Sequence, residues 1–277
     1  MAVNVEIKQK KNEIIELTIP EIAALKDLRY GVSNNNYLLE EDEVGQYTIL
    51  YDKKKIGRGF EISFEENGCI YLRLPLPTTG YEIELFYDLV KCICEKVNVD
   101  SFIRDEGIVP LAHAFDYVEA DKEASLKAIK NIDYSIRNKE NSNMILFGAL
   151  NPISLGANEM DEINLSIKGL ENLMDRLQQK DVFYASSSLF QRQDGTIFGV
   201  YFIGEDIVSV VPLNPHSPFC NIENVDSYYV RIPDYNDIPY DDFISHVDKL
   251  EDYDNDHIII SLDEDKIYEL SKTILST

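Results

Sequence analysis

The chain has 277 residues, of which 44% are hydrophobic, and its formal net charge is −24. This composition predicts a folded protein, because disordered chains combine high charge with low hydrophobicity. Its longest apolar runs are far shorter than the roughly 20 residues that cross a bilayer, and its negative charge argues against nucleic acid and membranes as partners.

The N-terminus and the cysteines indicate a cytoplasmic protein. The segment Met1–Lys8 has no basic region followed by an apolar stretch, so it is not typical of a signal peptide. Cys69, Cys92, Cys94 and Cys220 are too sparse for a disulfide framework. We therefore expect reduced thiols and a cytoplasmic location.

The first part of the chain reads as strands around one short helix. Val3–Lys8 and Glu13–Leu17 alternate apolar and polar residues and predict a hairpin. Thr18 and Glu21 have the spacing of a capping box at a helix start, and residues 29–42 read as a loop. Three further strands are expected at Gln46–Tyr51, Gly59–Phe64 and Cys69–Leu74.

Two amphipathic helices and a linker follow. Apolar residues at helical spacing predict helices over Tyr81–Val97 and Glu119–Arg137. The polar segment Asn138–Asn143 is the best linker candidate, so the predicted domains are an N-terminal lobe, 1–142, and an acidic C-terminal lobe, 143–277.

In the second lobe, a strand at Met144–Leu150 precedes one long helix, Asn158–Gln179, with an apolar stripe. A helix starting at Pro239 is expected to bury Tyr240, Phe243, Val247 and Leu250, and a last helix ends the chain. The remaining strands are predicted at Phe183–Phe190, Thr196–Ile203, Ile207–Pro212, Tyr228–Ile232 and Ile258–Leu262.

These elements predict an α+β fold of two lobes, each an antiparallel β-meander with packed helices. A weak internal duplication is an open alternative to coincidence. Tyr71, Arg73 and Pro75 have the same spacing as Tyr229, Arg231 and Pro233, and an amphipathic helix follows each set.

The sequence predicts neither a cofactor nor a metal site. Residues 252–263 imitate a calcium loop, but His257 occupies the position that needs glycine, so a solvated acidic loop is the better interpretation. The chain has no phosphate-binding glycine loop and no nucleophile elbow around Ser186–Ser188. A catalytic triad assembled in space stays open.

Several runs resemble the bacterial family known as domain of unknown function 4299. They are Arg58–Ile62, Arg73–Pro75, Leu146–Gly156, Leu177–Ala185 and Val211–Leu213. The resemblance covers nearly the whole chain and implies a bacterial cytoplasmic protein of one recurring architecture. It implies no activity and no catalytic residue.

The charge distribution suggests a function. Residues 181–277 hold five Lys and Arg against nineteen Asp and Glu. We predict a non-catalytic protein that engages a basic partner through an acidic face, an antitoxin or immunity protein being one concrete form. The alternative is an enzyme with a cleft between the lobes. The predicted partner-binding residues are Asp241, Asp242, Asp248, Glu251, Asp252, Asp254 and Asp256.

Overall fold

The computed structural model describes residues 1–138, 144–219 and 224–275. The predicted α+β class is confirmed. The chain forms two compact units: the first contains 1–34 and 39–179, and the second contains 35–38 and the residues from 180 onward. No helix within the described ranges is long and apolar enough to span a membrane. Cys69, Cys92 and Cys94 are free thiols.

The first unit is built on one eight-stranded sheet in which every neighbouring pair is antiparallel. The strand order is β3-β2-β4-β5-β6-β1-β7-β8. Alternate residues of β1 are buried, as period-two patterning requires. The strands are β1 Ala2–Ile7, β2 Arg29–Ser33, β3 Leu39–Glu41, β4 Thr48–Tyr51, β5 Phe60–Glu65, β6 Cys69–Pro75, β7 Ser101–Arg104 and β8 Gly107–Pro110.

Helices and one more hairpin complete this unit. The buried side chains of α2, among them Ile83, Phe86 and Val90, pack into the core formed by the sheet. The helices are α1 Ile19–Ala24, α2 Gly80–Lys96, α3 Val118–Arg137, α4 Ala157–Ile163 and α5 Ile167–Gln178. Short 3-10 helices lie at Glu66–Gly68 and Leu111–Tyr117, and the hairpin pairs β9 Met144–Phe147 with β10 Pro152–Leu155.

The N-terminal segment confirms one prediction and corrects another. Thr18 and Glu21 form the capping box at the start of α1. Residues 13–17, however, form no strand, and the Gln9 side chain takes the place of a pairing backbone: it accepts from Ile15 N at 2.8 Å and donates to the Ile15 carbonyl at 3.1 Å. The region 29–42, predicted as a loop, instead supplies β2 and β3.

The predicted helix Asn158–Gln179 is two helices. Asn164 and Leu165 both have positive φ, which ends α4, and the Ser166 hydroxyl caps α5 by accepting from Gly169 N. The predicted apolar stripe nevertheless continues across the break, because residues on both sides of it are buried. They are Met160, Ile163, Leu170, Met174 and Leu177.

The second unit contains two four-stranded sheets, ordered β11-β14-β18-β17 and β12-β13-β15-β16. Each sheet contains one parallel pair, β11 with β14 and β13 with β15, so this unit is not the simple antiparallel meander we predicted. Its elements are β11 Phe183–Tyr184, β12 Ser187–Gln191, β13 Ile197–Phe202, β14 Ser209–Pro212, β15 Ser227–Arg231, β16 Ile238–Pro239, α6 Tyr240–His246, β17 Lys249–Asp254, β18 His257–Ile260 and α7 Glu264–Leu275.

This topology does not support the internal duplication. Arg73 lies on β6 between two antiparallel neighbours and pairs with Glu61 directly across the sheet. Arg231 ends β15, whose neighbour β13 is parallel, and pairs with Asp237 in the following loop. The two residue sets with the same spacing therefore lie in different strand environments.

The lobe boundary and the helix at Pro239 also differ from the sequence predictions. Residues 144–179 group with the first unit, and 139–143 of the proposed linker lie outside the described residues. The helix ends at His246, because β17 begins at Lys249 and continues the chain into a hairpin. Leu250 is consequently 54% exposed, not buried.

Candidate functional site

The seven carboxylates predicted to bind a partner are divided among three segments of the second unit. Asp241 and Asp242 lie in the first turn of α6, and Asp248 lies between α6 and β17. The other four, Glu251, Asp252, Asp254 and Asp256, belong to the β17–β18 hairpin. They differ in exposure and in the partners that they already have.

Asp254 is buried and does not belong to the acidic surface. Its carboxylate lies 2.7 Å from His257 Nδ1, and His257 Nε2 lies 2.9 Å from the Tyr184 hydroxyl. Burial raises the pKa of Tyr184 well above its usual value. The position that the calcium pattern assigned to glycine therefore holds a buried histidine whose two ring nitrogens both have partners.

The other hairpin carboxylates have local partners. Glu251 pairs with Lys180 at 2.7 Å, and Asp252 pairs with Lys249 at 2.8 Å. Asp256 is partly buried beside Asn255, whose amide donates to it. An incoming cation would have to compete with these contacts.

Asp241, Asp242 and Asp248 are the predicted residues that remain exposed and, within the described part of the chain, form no ion pair. Asp241 is further distinguished because it lines a cavity of about 310 Å³ at the edge of the sheet β12-β13-β15-β16. We call this cavity the tyrosine groove. Its lining residues are Pro215, Asp226, Ser227, Tyr228, Tyr229, Pro239, Tyr240 and Asp241.

The groove follows from the way β15 and β16 pair. The two strands are antiparallel, with Tyr229 opposite Pro239. Since β16 has only two residues and leads directly into α6, the edge of the sheet is short and brings Tyr240 and Asp241 next to β15. The adjacent Tyr228 and Tyr229 point to opposite faces of their strand, and both reach the groove at this edge.

Each of the three tyrosines is held in place by its own contacts. The Tyr228 ring lies over Gly199, where an added Cβ would be 2.4 Å from the ring. Arg192 donates to the Tyr229 hydroxyl at 3.3 Å. The Tyr240 hydroxyl donates to the Pro212 carbonyl at 2.6 Å. The aromatic walls of the groove are therefore fixed before any ligand arrives.

The exposure of the tyrosines separates the open side of the groove from its floor, because Tyr240 is buried whereas Tyr228 and Tyr229 are half-buried. Burial raises the pKa of Tyr240 and, to a smaller extent, that of Tyr228. The nearby Ser227 hydroxyl and the hydrogen bond from Arg192 instead lower the pKa of Tyr229. The acidic side chains of the groove are Asp226 and Asp241.

The groove offers two aspartates, one serine and three tyrosines as its polar side chains. It contains neither histidine nor cysteine, and no group of three metal-ligating side chains occurs among the residues that the structure describes. A larger cavity of about 490 Å³ lies in the first unit, but its lining has Glu16 as its one titratable residue. Two carboxylates beside aromatic and proline surfaces can bind a cationic side chain and the apolar residues next to it.

Comparison with known proteins identifies the family. A family model described as Domain of unknown function (DUF4299) matches residues 2–270. The chain belongs to this family. No curated protein and no solved structure matches it. The DUF4299 match spans both units and includes every residue of the tyrosine groove.

The DUF4299 segment at Arg58 forms a buried structural network in the first unit. The Glu82 carboxylate accepts from Arg58 N at 2.9 Å and from Gly59 N at 2.7 Å, and the Arg58 side chain donates to the Phe147 carbonyl at 2.9 Å. Burial raises the pKa of Glu82 and lowers that of Arg58 to about 10. These groups bind one another, so the Arg58 segment that resembles the family has a structural role in the fold.

Charge alone found only part of the groove. Asp241 was predicted from the acidic segment, whereas Tyr228, Tyr229 and the two prolines were missed. A local signal was present, since Asp226 stands two residues before a Tyr-Tyr pair. The signal alone does not predict a groove, because the groove depends on the pairing of β16 with β15, which places Pro239 opposite Tyr229.

Proposed function

We propose that this protein is a non-catalytic binding protein that engages a basic protein partner through the tyrosine groove. The observation that carries the proposal is the position of Asp241. This exposed carboxylate, which forms no ion pair with any residue that the structure describes, lies at the edge of a groove whose aromatic walls are already fixed. An antitoxin or immunity protein, which neutralises a basic surface by charge complementarity, is one concrete form of this function.

The electrostatics of the second unit support a basic partner over an acidic one. Its strongly negative charge attracts cations from a distance, and this accelerates encounter. The paired residues Glu251 and Asp252 contribute to that field, while Asp226 and Asp241 are placed to contact the partner directly. Asp242 and Asp248 are exposed and add to the field beside the groove.

The best argument for the enzyme alternative is the arrangement of Asp254, His257 and Tyr184. It has the order of an acid, a histidine and a hydroxyl that catalytic sites use. His257 is only 4% exposed, however, and its two ring nitrogens are occupied by Asp254 and Tyr184. This geometry favours a structural role, because a general base must reach the proton that it removes.

The proposal is tested with a labelled peptide array graded from acidic to basic composition, read by fluorescence polarisation. We expect affinity to rise with positive charge and to fall when Asp226→Asn and Asp241→Asn are combined. Loss of about 0.5–1 kcal/mol for each exposed pair corresponds to a combined weakening of about five- to thirtyfold.

A matched variant separates the groove from the general charge of the protein. Glu205→Gln combined with Glu269→Gln removes the same charge from exposed positions of the same unit that do not line the groove. Basic peptides should bind this control as they bind the wild type. Equal weakening in both variants, or no preference for basic peptides, would contradict the proposal.

A further inference from the structure

The walls of the tyrosine groove indicate what kind of basic segment it binds. We infer that the partner presents a proline-containing, extended segment in the polyproline II conformation, with an arginine or lysine beside the prolines. This inference rests on the proposed function and names the chemistry of the partner at the same groove.

The lining of the groove is mostly tyrosine and proline, which make up five of its eight residues. Tyr228 and Tyr229 are half-buried and offer their rings to a ligand, whereas Tyr240 is 1% exposed and forms the floor. The remaining three lining residues are Ser227 and the two carboxylates. Grooves lined by aromatic side chains bind proline-rich segments by packing proline rings against the aromatic surfaces. The carboxylates then select for a cationic residue next to the prolines, as charge complementarity requires.

The edge strand β16 is poorly suited to the addition of another strand. A peptide that extends a sheet must bond with the backbone of its edge strand, but β16 consists of only Ile238 and Pro239. Pro239 has no N–H to donate, so this edge offers little to an added strand. A polyproline II segment has no need of such a ladder, because its recognition depends on side-chain packing.

Both the groove and a proline-containing segment are restricted in conformation before they meet. Tyr228 is seated over Gly199, Tyr229 is bonded to Arg192, and Tyr240 is bonded to the Pro212 carbonyl. A proline-containing segment is likewise restricted before it binds, so less conformational entropy is lost on association. The volume of about 310 Å³ suits a short segment, since it lies at the lower end of the range for ligand sites.

The test uses two peptide arrays with identical charge. In one, a single arginine is moved through every position of a proline-rich frame, and in the other each proline is replaced by alanine. Affinity is measured by fluorescence polarisation against the full-length protein. We expect the best proline-frame peptides to bind about tenfold or more tightly than their alanine counterparts, the ratio given by about 1.4 kcal/mol.

Two variants assign that preference to its source. Tyr228→Ala should remove most of the advantage of the proline frame, whereas Asp241→Asn should weaken both frames by the same factor. Tyr228→Leu, which retains apolar bulk over Gly199, should also lose the preference and guards against misfolding of the alanine variant. Circular dichroism monitors the fold of each variant.

The outcomes separate this inference from the function on which it rests. If arginine peptides of both frames bind equally, the polyproline II inference is overturned and a basic partner remains supported. If a proline preference persists undiminished in both Tyr228 variants, the inference is overturned as well. If no arginine peptide of either frame binds, the inference and the proposed function fail together.

Discussion

Gly169→Ala should destabilise the first unit, although alanine is the better helix former. Gly169 lies in the first turn of α5, where an added Cβ would be 2.0 Å from the Ile163 carbonyl oxygen and 2.5 Å from its carbon. These are backbone atoms at the end of α4, so a side-chain rotation cannot relieve the collision. One of the two helices must move.

The expected size follows from two opposing effects. Replacing glycine by alanine inside a helix normally stabilises by about 0.5–1 kcal/mol. Overpacking a closely packed site destabilises by about 1–3 kcal/mol, and here the displaced group is backbone. We expect a net loss of about 1–2 kcal/mol, which lowers the melting temperature by about 2–8 °C for a unit of this size.

Gly80→Ala is the matched control. Gly80 is the first residue of α2 in the same unit, and its added Cβ would meet only ordinary contacts, Ile167 Cγ2 at 3.6 Å and Lys122 Cε at 3.7 Å. The control should be neutral or should stabilise by up to about 1 kcal/mol. Thermal and urea unfolding followed by circular dichroism measure both variants. If Gly169→Ala raised the melting temperature as much as the control, the close approach of α4 and α5 would be wrong.

Three more changes test the packing of both units by the same unfolding assay. Leu170→Ala should destabilise the protein by about 2–5 kcal/mol, because Leu170 is 1% exposed. Leu165 is 43% exposed, so Leu165→Ala should change stability by less than about 1 kcal/mol. Similar losses in the two variants would refute the buried stripe. Glu106→Gly should stabilise by about 0.5–1 kcal/mol, since Glu106 has φ of +73° in the β7–β8 turn, and a loss of stability would refute that conformation. Tyr184→Phe should destabilise by about 1–3 kcal/mol by leaving His257 Nε2 buried without its partner, and a neutral effect would show that water replaces the hydroxyl.

The elements that the sequence predicted well are those that local chemistry specifies. The capping box at Thr18 and Glu21 starts α1 as expected, and α2 and α3 begin and end within one residue of their predicted bounds. In each case the signal is contained in the element itself: a cap, or an apolar stripe at helical spacing.

The elements that were missed depend on distant parts of the chain. The loop predicted at 29–42 gives β2 and β3 because β4 is available to pair with β2. The α4–α5 break requires positive φ at Asn164 and Leu165, and the sequence does not predict it because leucine rarely adopts that conformation. In the same way, Pro239 and Tyr229 become one groove only through their register across β15 and β16.

The acidic segment illustrates the limit of charge as a predictor of function. Nine carboxylates occur in residues 234–256, and composition treats them alike. The structure divides them by environment: Asp254 is buried against His257, Glu251 is paired with Lys180, and Asp241 lines the groove with no ion pair among the described residues. Only tertiary contacts reveal which of them can receive a partner.

Under the proposed function, Asp241 and the tyrosine groove receive a basic segment. The most direct measurement is the stopped-flow association rate of the tightest-binding arginine peptide as a function of ionic strength, for wild type, Asp241→Asn and the control Glu205→Gln. We expect Asp241→Asn to associate more slowly at low salt and to show a shallower salt dependence than the control, because a local charge contact has been lost. Identical rates and slopes for the two variants would show that Asp241 is only solvated surface and would refute its role in receiving the segment.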